Sequence, residues 1–158
     1  MQTRLLPVVA FASMAVLMLI SCERRECTNP PPQYQFAFVT PQGQPLAADS
    51  LQAKTMRLAY TSTSGAKIVV PQTQFRPVPT NTPYRYVYQL SHELIGSDAH
   101  PRQYAIELNE QPVGTLQLTA QQRNTKCDKW MHLTEVQANQ KAVSIGADNV
   151  TYQITIER

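Results

Sequence analysis

Glycine is scarce in this sequence, with five copies spread over 158 residues. Their positions match neither a phosphate-binding loop nor a dinucleotide-binding fingerprint, because both motifs need clustered glycines. The sequence also lacks the Gly-x-Ser-x-Gly elbow of α/β hydrolases and the pair of histidines four residues apart that marks helical zinc sites. The sequence therefore carries none of these common enzyme signatures, and we predict no catalytic residue, metal ligand or cofactor.

Charge is sparse as well, with 14 Lys and Arg residues against 11 Asp and Glu residues. This near-neutral balance gives no electrostatic basis for binding nucleic acid, because phosphate backbones are bound by clustered basic residues. Arg24 and Arg25 are adjacent, but Glu23 and Glu26 flank them and cancel their charge. We therefore expect no nucleic-acid partner.

The one long apolar run stands at the N-terminus, where residues 5–20 follow the basic Arg4. This arrangement is typical of a signal peptide. An uncleaved transmembrane helix is the alternative. The run is shorter than the roughly 20 apolar residues that span a bilayer core, and Arg24 and Arg25 behind it would oppose export of an uncleaved helix.

The apolar run ends at Leu19-Ile20-Ser21-Cys22. This tetrapeptide resembles the lipobox of bacterial lipoproteins. The resemblance implies that residues 1–21 are removed as a signal peptide and that Cys22 carries a diacylglycerol and usually a further acyl chain such as palmitate. Two or more chains anchor a protein stably to a membrane. Because Glu23 rather than aspartate follows Cys22, we expect a location at the outer membrane of a Gram-negative cell envelope.

Residues 22–33 include Pro30-Pro31-Pro32 and predict an extended, lipid-anchored tether. With Cys22 acylated, Cys27 and Cys127 remain, an even number in an oxidising compartment. A disulfide between them would close a loop of about 100 residues and stabilise the fold by up to about 4.7 kcal/mol in the chain-entropy model. Two free thiols are the alternative. A reactive or metal-binding pair is disfavoured because no Cys-x-x-Cys motif is present.

Residues 34–158 predict one β-sandwich domain. Apolar and polar residues alternate in short segments about ten residues apart, and no segment shows a clear helical period. The clearest segment is the last, where Val150, Tyr152, Ile154 and Ile156 alternate with polar residues. Nine strands are expected, at 34–39, 54–60, 67–70, 84–90, 102–109, 113–119, 127–138, 141–145 and 150–157. This pattern predicts an all-β fold, an antiparallel β-sandwich of eight or nine short strands, with a barrel as the alternative.

The loop at residues 91–101 holds the densest set of chemically active side chains. His92, Asp98 and His100 could serve a metal-dependent hydrolase, since imidazole and carboxylate groups are zinc ligands. Their spacing matches no known motif, and polar side chains are also expected in a solvated surface loop. His132 lies on a predicted strand, where we expect it to be packed or at the surface rather than a ligand.

Tyrosines recur at alternate positions in the fourth predicted strand. Tyr84, Tyr86 and Tyr88 would share one face of a regular strand and could form a flat glycan-binding platform. The alternative is that this face belongs to the core, with the hydroxyl groups at its rim.

The leading functional hypothesis is a non-enzymatic binding or structural accessory of the cell envelope, attached to the membrane through lipid on Cys22. A protein or a glycan is the expected partner. The proline-rich stretch Pro71–Pro83 and the loop Ser91–Pro101 are the segments expected to contact it, because long loops in a compact domain often carry function.

Overall fold

The structure is a computed structural model and describes residues 30–78, 84–97, 100–125, 127–146, 148 and 150–157. Almost all of its regular elements are strands. In chain order they are β1 (Gln33–Val39), α1 (Ser50–Thr55), β2 (Met56–Thr61), β3 (Lys67–Val69), a 3₁₀ turn (Gln72–Gln74), β4 (Phe75–Pro77), β5 (Tyr86–Ser91), β6 (Gly96–Ser97), β7 (His100–Leu108), β8 (Gln111–Gln122), β9 (Met131–Ala138), β10 (Lys141–Ala142) and β11 (Thr151–Thr155).

The strands form two sheets. The smaller has the order β11-β1-β5-β4, and the larger has the order β10-β9-β8-β7-β2-β3, with β6 paired to β7. Every pairing is antiparallel except that of β1 with β11, which run parallel. The predicted all-β, antiparallel sandwich class is confirmed.

The core lies between the two sheets because alternate side chains of each strand point inward. The fully buried side chains come from both sheets and are mostly large and apolar. They include Phe36, Tyr88, Leu90, Met56, Leu58, Tyr104, Ile106, Leu116, Leu118 and Ile154. Burying one side chain of this size contributes about 1.5–3 kcal/mol relative to leaving it exposed, so the alternation that predicts the strands also fixes which face of each sheet is covered.

All nine predicted strands are present, and two short ones, β4 and β6, are additional. β4 lies in the proline-rich stretch, where prolines exclude a central strand. It is an edge strand, where Pro77 need not donate to a neighbour. The second strand was predicted from Lys54, but it begins at Met56 because residues 50–55 form α1 instead.

The short helix α1 was not predicted. It begins at Asp49, whose carboxylate Oδ1 accepts the backbone N–H groups of Leu51 and Gln52 at 2.9 and 2.8 Å. Such a cap satisfies donors that an isolated helical turn leaves unpaired. Six residues are too few to show a helical period, so the sequence pattern could not reveal this helix.

Two tight hairpin turns connect strands of the larger sheet. Asn109 and Glu110 join β7 to β8, and Asn139 and Gln140 join β9 to β10. All four residues have positive φ, between 49° and 66°. Positive φ at both central residues is the requirement of the two-residue turn that matches the twist of a hairpin. Both turns lie at the breaks between predicted strands, the first between 102–109 and 113–119 and the second between 127–138 and 141–145.

One end of the sandwich, here called the N-terminal pole, is the end at which β1 begins. Gln33 lies opposite Ser91, the last residue of β5. The parallel strand β11 also begins here, with Thr151 opposite Gln35. In the larger sheet, the backbone N–H of Leu133 near the start of β9 donates to the hydroxyl of Tyr34 at 3.0 Å. The turns at 109–110 and 139–140 and the helix α1 lie at the opposite pole.

None of the helices formed by the described residues is long and apolar enough to cross a bilayer.

Candidate functional site

A concavity formed by the described residues lies on the outer face of the larger sheet. It measures about 680 Å³ and is open to solvent. We call it the sheet groove. Its lining combines hydroxyl, amide, aromatic and charged side chains, contributed by Ala59, Tyr60, Thr61, Ser62, Thr63, Lys67, Arg102, Gln103, Tyr104, Ala105, Glu107 and Thr115.

Two alanines form the floor of the sheet groove. Ala59 of β2 lies directly opposite Ala105 of β7, and Thr115 of β8 lies opposite Ala105 on its other side. Because side chains alternate along a strand, Leu58 and Ile106 point into the core while the alanines point outward. Methyl groups at the centre, with longer side chains around them, make the face concave.

An ion pair crosses the sheet groove. Lys67 Nζ lies 2.6 Å from Glu107 Oε1, and the side chain of Glu107 is 9% exposed while that of Lys67 is 61% exposed. Glu107 follows an irregularity in the pairing of β7 with β8, between Ile106 and Glu107. The carboxylate of Glu107 is therefore sunken, that is, largely shielded from solvent at the floor of the sheet groove. The ammonium group of Lys67 is exposed and keeps hydrogen-bond donors available for a ligand.

An aromatic cluster lies at one end of the sheet groove, but on the core-facing side of the larger sheet. Tyr60 and Tyr104 are directly opposite each other and alternate with the outward alanines. The guanidinium of Arg102 lies 4.7 Å from the ring centre of Tyr60, and the rings of Tyr60 and Tyr104 meet edge to face at 5.4 Å. Arg102 Nη1 also donates to the backbone carbonyls of Glu93 and Leu94, at 3.3 and 3.2 Å. The hydroxyl of Tyr104 donates to the same Leu94 carbonyl.

The buried position of Tyr104 alters its acidity. Burial raises the pKa of Tyr104 to about 12, and the neighbouring charge of Arg102 opposes that rise. The phenol is therefore a neutral hydrogen-bond donor at physiological pH and a fixed part of the core behind the sheet groove.

A sheet edge adjoins the sheet groove, because β3 is the last strand of the larger sheet and no described residue pairs with its outer side. The N–H of Val70 donates to the Leu58 carbonyl of β2 at 2.8 Å. Backbone groups alternate in direction along an antiparallel strand, so those of Lys67 and Val69 point away from β2. The side chains of Ile68 and Val69 are 38% and 44% exposed, which leaves an apolar edge able to accept another strand.

A smaller concavity of about 490 Å³ lies between β9, β10 and β11. Lys141 Nζ and Glu157 Oε1 lie 3.2 Å apart beside it, and both side chains are more than 70% exposed. A pair this exposed is largely solvated, and the floor lacks the buried charge that distinguishes the sheet groove.

The loop predicted as a possible metal site is only partly described. Asp98 lies outside the described residues, as does the side chain of His100, which begins β7. The ring of His92 packs against the ring of Trp130 at 4.7 Å. Among the described residues, no three His, Cys, Asp or Glu side chains are grouped so as to hold a metal ion. His132 instead pairs with Asp128, its Nε2 lying 2.8 Å from Oδ1.

The three tyrosines of the fourth predicted strand do not share one exposed face. Tyr88 is fully buried, and its hydroxyl donates to the Met56 carbonyl at 3.0 Å. Tyr84 precedes β5 and is 5% exposed in a separate small cluster on the outer face of the smaller sheet. Tyr86 is half-buried, with its ring 5.6 Å from that of Phe75. The core alternative is correct for Tyr88, and an exposed three-tyrosine platform is not formed.

The predicted cysteine pair and the proline-rich stretch both lie partly outside the described residues. Cys127 is disulfide-bonded, while Cys22 and Cys27 lie outside the described residues, so the pairing with Cys27 stays a prediction. Within the proline-rich stretch, residues 72–77 form the 3₁₀ turn and β4, and residues 79–83 lie outside the described residues.

The sheet groove was missed by sequence reasoning. Its floor residues are 46 positions apart and meet only through the register of β2 with β7. The one sequence signal is that a small alanine stands at an outward position in each of two strands, and such alanines are common on solvated faces.

Comparison with known proteins does not assign the chain to a family: no protein-family model, no curated protein and no solved structure matches it.

Proposed function

We propose that this chain is a lipoprotein of the cell envelope, anchored at the outer membrane by lipid on Cys22, whose β-sandwich binds a protein partner without catalysing a reaction. The anchor is supported by the lipobox-like Leu19-Ile20-Ser21-Cys22 and the apolar run before it. The binding role is supported by the sheet groove and the free edge of β3 beside it.

The observation that carries the binding role is the arrangement of Lys67. Its side chain fills part of the sheet groove and neutralises the sunken Glu107, while its backbone lies on the open edge of the sheet. An extended segment of a partner could add to this edge through main-chain hydrogen bonds and place alternate side chains over the alanine floor. That is the general mode of β-strand addition.

A protein partner is favoured over a glycan because of where the aromatic rings near the sheet groove lie and what covers them. Sugar binding commonly uses an exposed aromatic face. Here Tyr60 and Tyr104 lie on the core-facing side of the sheet, opposite to the alanine floor. The guanidinium of Arg102 also covers a face of Tyr60. The outward lining consists of hydroxyl and amide groups and the Lys67–Glu107 pair around a methyl floor, which suits a polypeptide backbone.

The test is site-specific photo-cross-linking in intact cells that produce the full chain. A cross-linking residue at Gln103, which is exposed at the groove, should give one discrete protein adduct. Ala105→Arg places a long charged side chain on the floor and should abolish that adduct. Gln121→Arg adds the same charge at an exposed site of β8 outside the groove and should leave it unchanged. Persistence of the adduct in the Ala105→Arg variant would refute binding through the sheet groove.

A further inference from the structure

The N-terminal pole is the part of the domain held nearest to the proposed anchor. Only seven residues lie between Cys22 and Pro30, where the described chain begins. A chain spans at most about 3.3–3.6 Å per residue, so this connection reaches no farther than roughly 30 Å. A lipid anchor therefore keeps this pole within roughly 30 Å of the membrane surface and allows it to touch the bilayer.

Apolar side chains are exposed at this same pole. Val150 is 56% exposed and precedes Thr151, the first residue of β11. Ile145 is 46% exposed and forms an isolated bridge with Tyr152. These two positions belong to one turn, closed by a hydrogen bond of 2.7 Å from the Gly146 N–H to the Thr151 carbonyl.

Trp130 lies at the N-terminal pole in the larger sheet. It immediately precedes β9 and is half-buried. Its indole packs against His92, which follows the residue paired with Gln33 at the start of β1. Tryptophan with one packed side and one open side is the residue typically found at the boundary between lipid and water.

The charges around these residues are nearly balanced. Arg123 and Lys129 are exposed on the two sides of the turn that leads to Trp130, and the Arg123 N–H donates to the Trp130 carbonyl at 3.1 Å. Asp128 is paired with His132. The carboxylate of Asp148 accepts the N–H groups of Val150 and Thr151, at 3.0 and 2.9 Å. Each of these two acids is thus engaged locally, and the charge of Arg123 also acts on Asp128. The exposed Lys129 is offset only by the exposed Glu93 beside His92, so the described residues of this pole carry no excess of negative charge that would repel lipid headgroups.

We infer that the N-terminal pole seats directly on the bilayer, with Trp130, Val150 and Ile145 in the headgroup region. This inference rests on the proposed lipid anchor, because three apolar side chains would bind a membrane only weakly on their own. The anchor supplies the high local concentration that makes a weak second contact effective. The strands then point away from the membrane, and the sheet groove opens to the side.

The test uses the acylated full-length protein in vesicles of phosphatidylethanolamine and phosphatidylglycerol that contain brominated phosphatidylcholine. Trp130 is the only tryptophan in the chain, so its emission reports this pole alone. We expect strong quenching by the brominated lipid and a shift of the emission to shorter wavelength relative to the protein in detergent.

Three variants make the test specific. Val150→Glu places a charge in the headgroup region and should reduce the quenching roughly twofold or more. Leu51→Glu is the matched control, because Leu51 is 72% exposed on α1 at the opposite pole and should leave the quenching unchanged. Equal quenching in the Val150→Glu and Leu51→Glu variants would overturn the role of Val150. Ile145→Glu should reduce the quenching as Val150→Glu does, so that a folding defect confined to one of these two variants can be recognised.

The outcomes separate this inference from the anchor on which it rests. Protein that floats with the vesicles while Trp130 stays unquenched would contradict seating and leave the lipoprotein proposal intact. Protein that does not float with the vesicles would overturn both.

Discussion

Lys67 and Glu107 meet at 2.6 Å although neither lies on a strand next to the other's. β2 separates them: Lys67 lies opposite Thr61, and Glu107 lies opposite Arg57. The outward residue midway between these two positions of β2 is Ala59. Its small side chain leaves room for the lysine to reach diagonally over the sheet to the carboxylate.

Removing the lysine should destabilise the fold more than removing an exposed lysine from a similar pair. Lys67→Ala leaves the sunken carboxylate of Glu107 without its partner, so we expect a loss of about 1–2 kcal/mol in the free energy of unfolding. Lys141→Ala is the matched control, because the Lys141–Glu157 pair is solvated and should change little. Urea denaturation measures both, and equal effects would contradict the structural role of the Lys67–Glu107 pair.

The buried tyrosines predict a loss of stability in alkali. Burial raises the pKa values of Tyr88 and Tyr104 to about 12 each, above the ordinary value of about 10. Between about pH 10 and pH 12, the phenols of Tyr88 and Tyr104 lose their protons in the unfolded chain but keep them in the folded chain. The stability from the neutral phenols is therefore full below about pH 10 and is lost as the pH rises towards 12.

Urea midpoints measured from pH 9 to pH 12 test this prediction. Tyr104→Phe should flatten the decline, whereas Tyr86→Phe, at a half-buried ring outside the core, should leave its slope unchanged. A decline of the same steepness in both variants would show that Tyr104 titrates normally.

The Asp128–His132 pair predicts a second, acidic dependence. The hydrogen bond with His132 is the largest cause that lowers the pKa of Asp128 below its usual value. A carboxyl with a lowered pKa adds stability above its unfolded pKa, near 4, and loses it as the pH falls further. Asp128→Asn should therefore be less stable than the parent at pH 7, with the two converging near pH 3. Trp130 fluorescence during urea unfolding measures the stability of both proteins. A difference in stability that persists at pH 3 would contradict this role of the Asp128–His132 pair.

The disulfide of Cys127 is predicted to join it to Cys27. A digest of the membrane-extracted protein without reductant should yield one linked peptide containing both residues. Cys127→Ser should lower the free energy of unfolding by up to about 4.7 kcal/mol, since the bond would close a loop of about 100 residues. A linked peptide containing Cys22 instead would contradict both the pairing and the acylation of Cys22.

The sequence predicts the strands well because alternation is local. Each segment carries its own pattern of inward and outward residues, so Phe36 or Ile154 marks the core face without knowledge of its neighbours. The parallel pairing of β1 with β11 is different. It joins residues more than 100 positions apart, and no local pattern encodes which strands become neighbours.

The sheet groove could not be predicted for the same reason. Ala59 and Ala105 are ordinary outward residues until the register of β2 and β7 places them side by side. The three tyrosines do not share one face, either as a platform or as a core row, because the regular alternation begins only at Tyr86 and Tyr84 lies on the other face. The prediction extended a strand pattern through a bend that the sequence does not mark.

The most direct test of the central claim is mass spectrometry of the N-terminal peptide from protein extracted from membranes of cells that make the full chain. The account predicts a peptide that begins at Cys22 and carries the mass of a diacylglyceryl group, with or without a further acyl chain. It also predicts that Cys22→Ser abolishes this mass and releases the protein from the membrane fraction. A peptide that begins at Met1, or one that contains Cys22 as a free or disulfide-bonded thiol, would contradict the account.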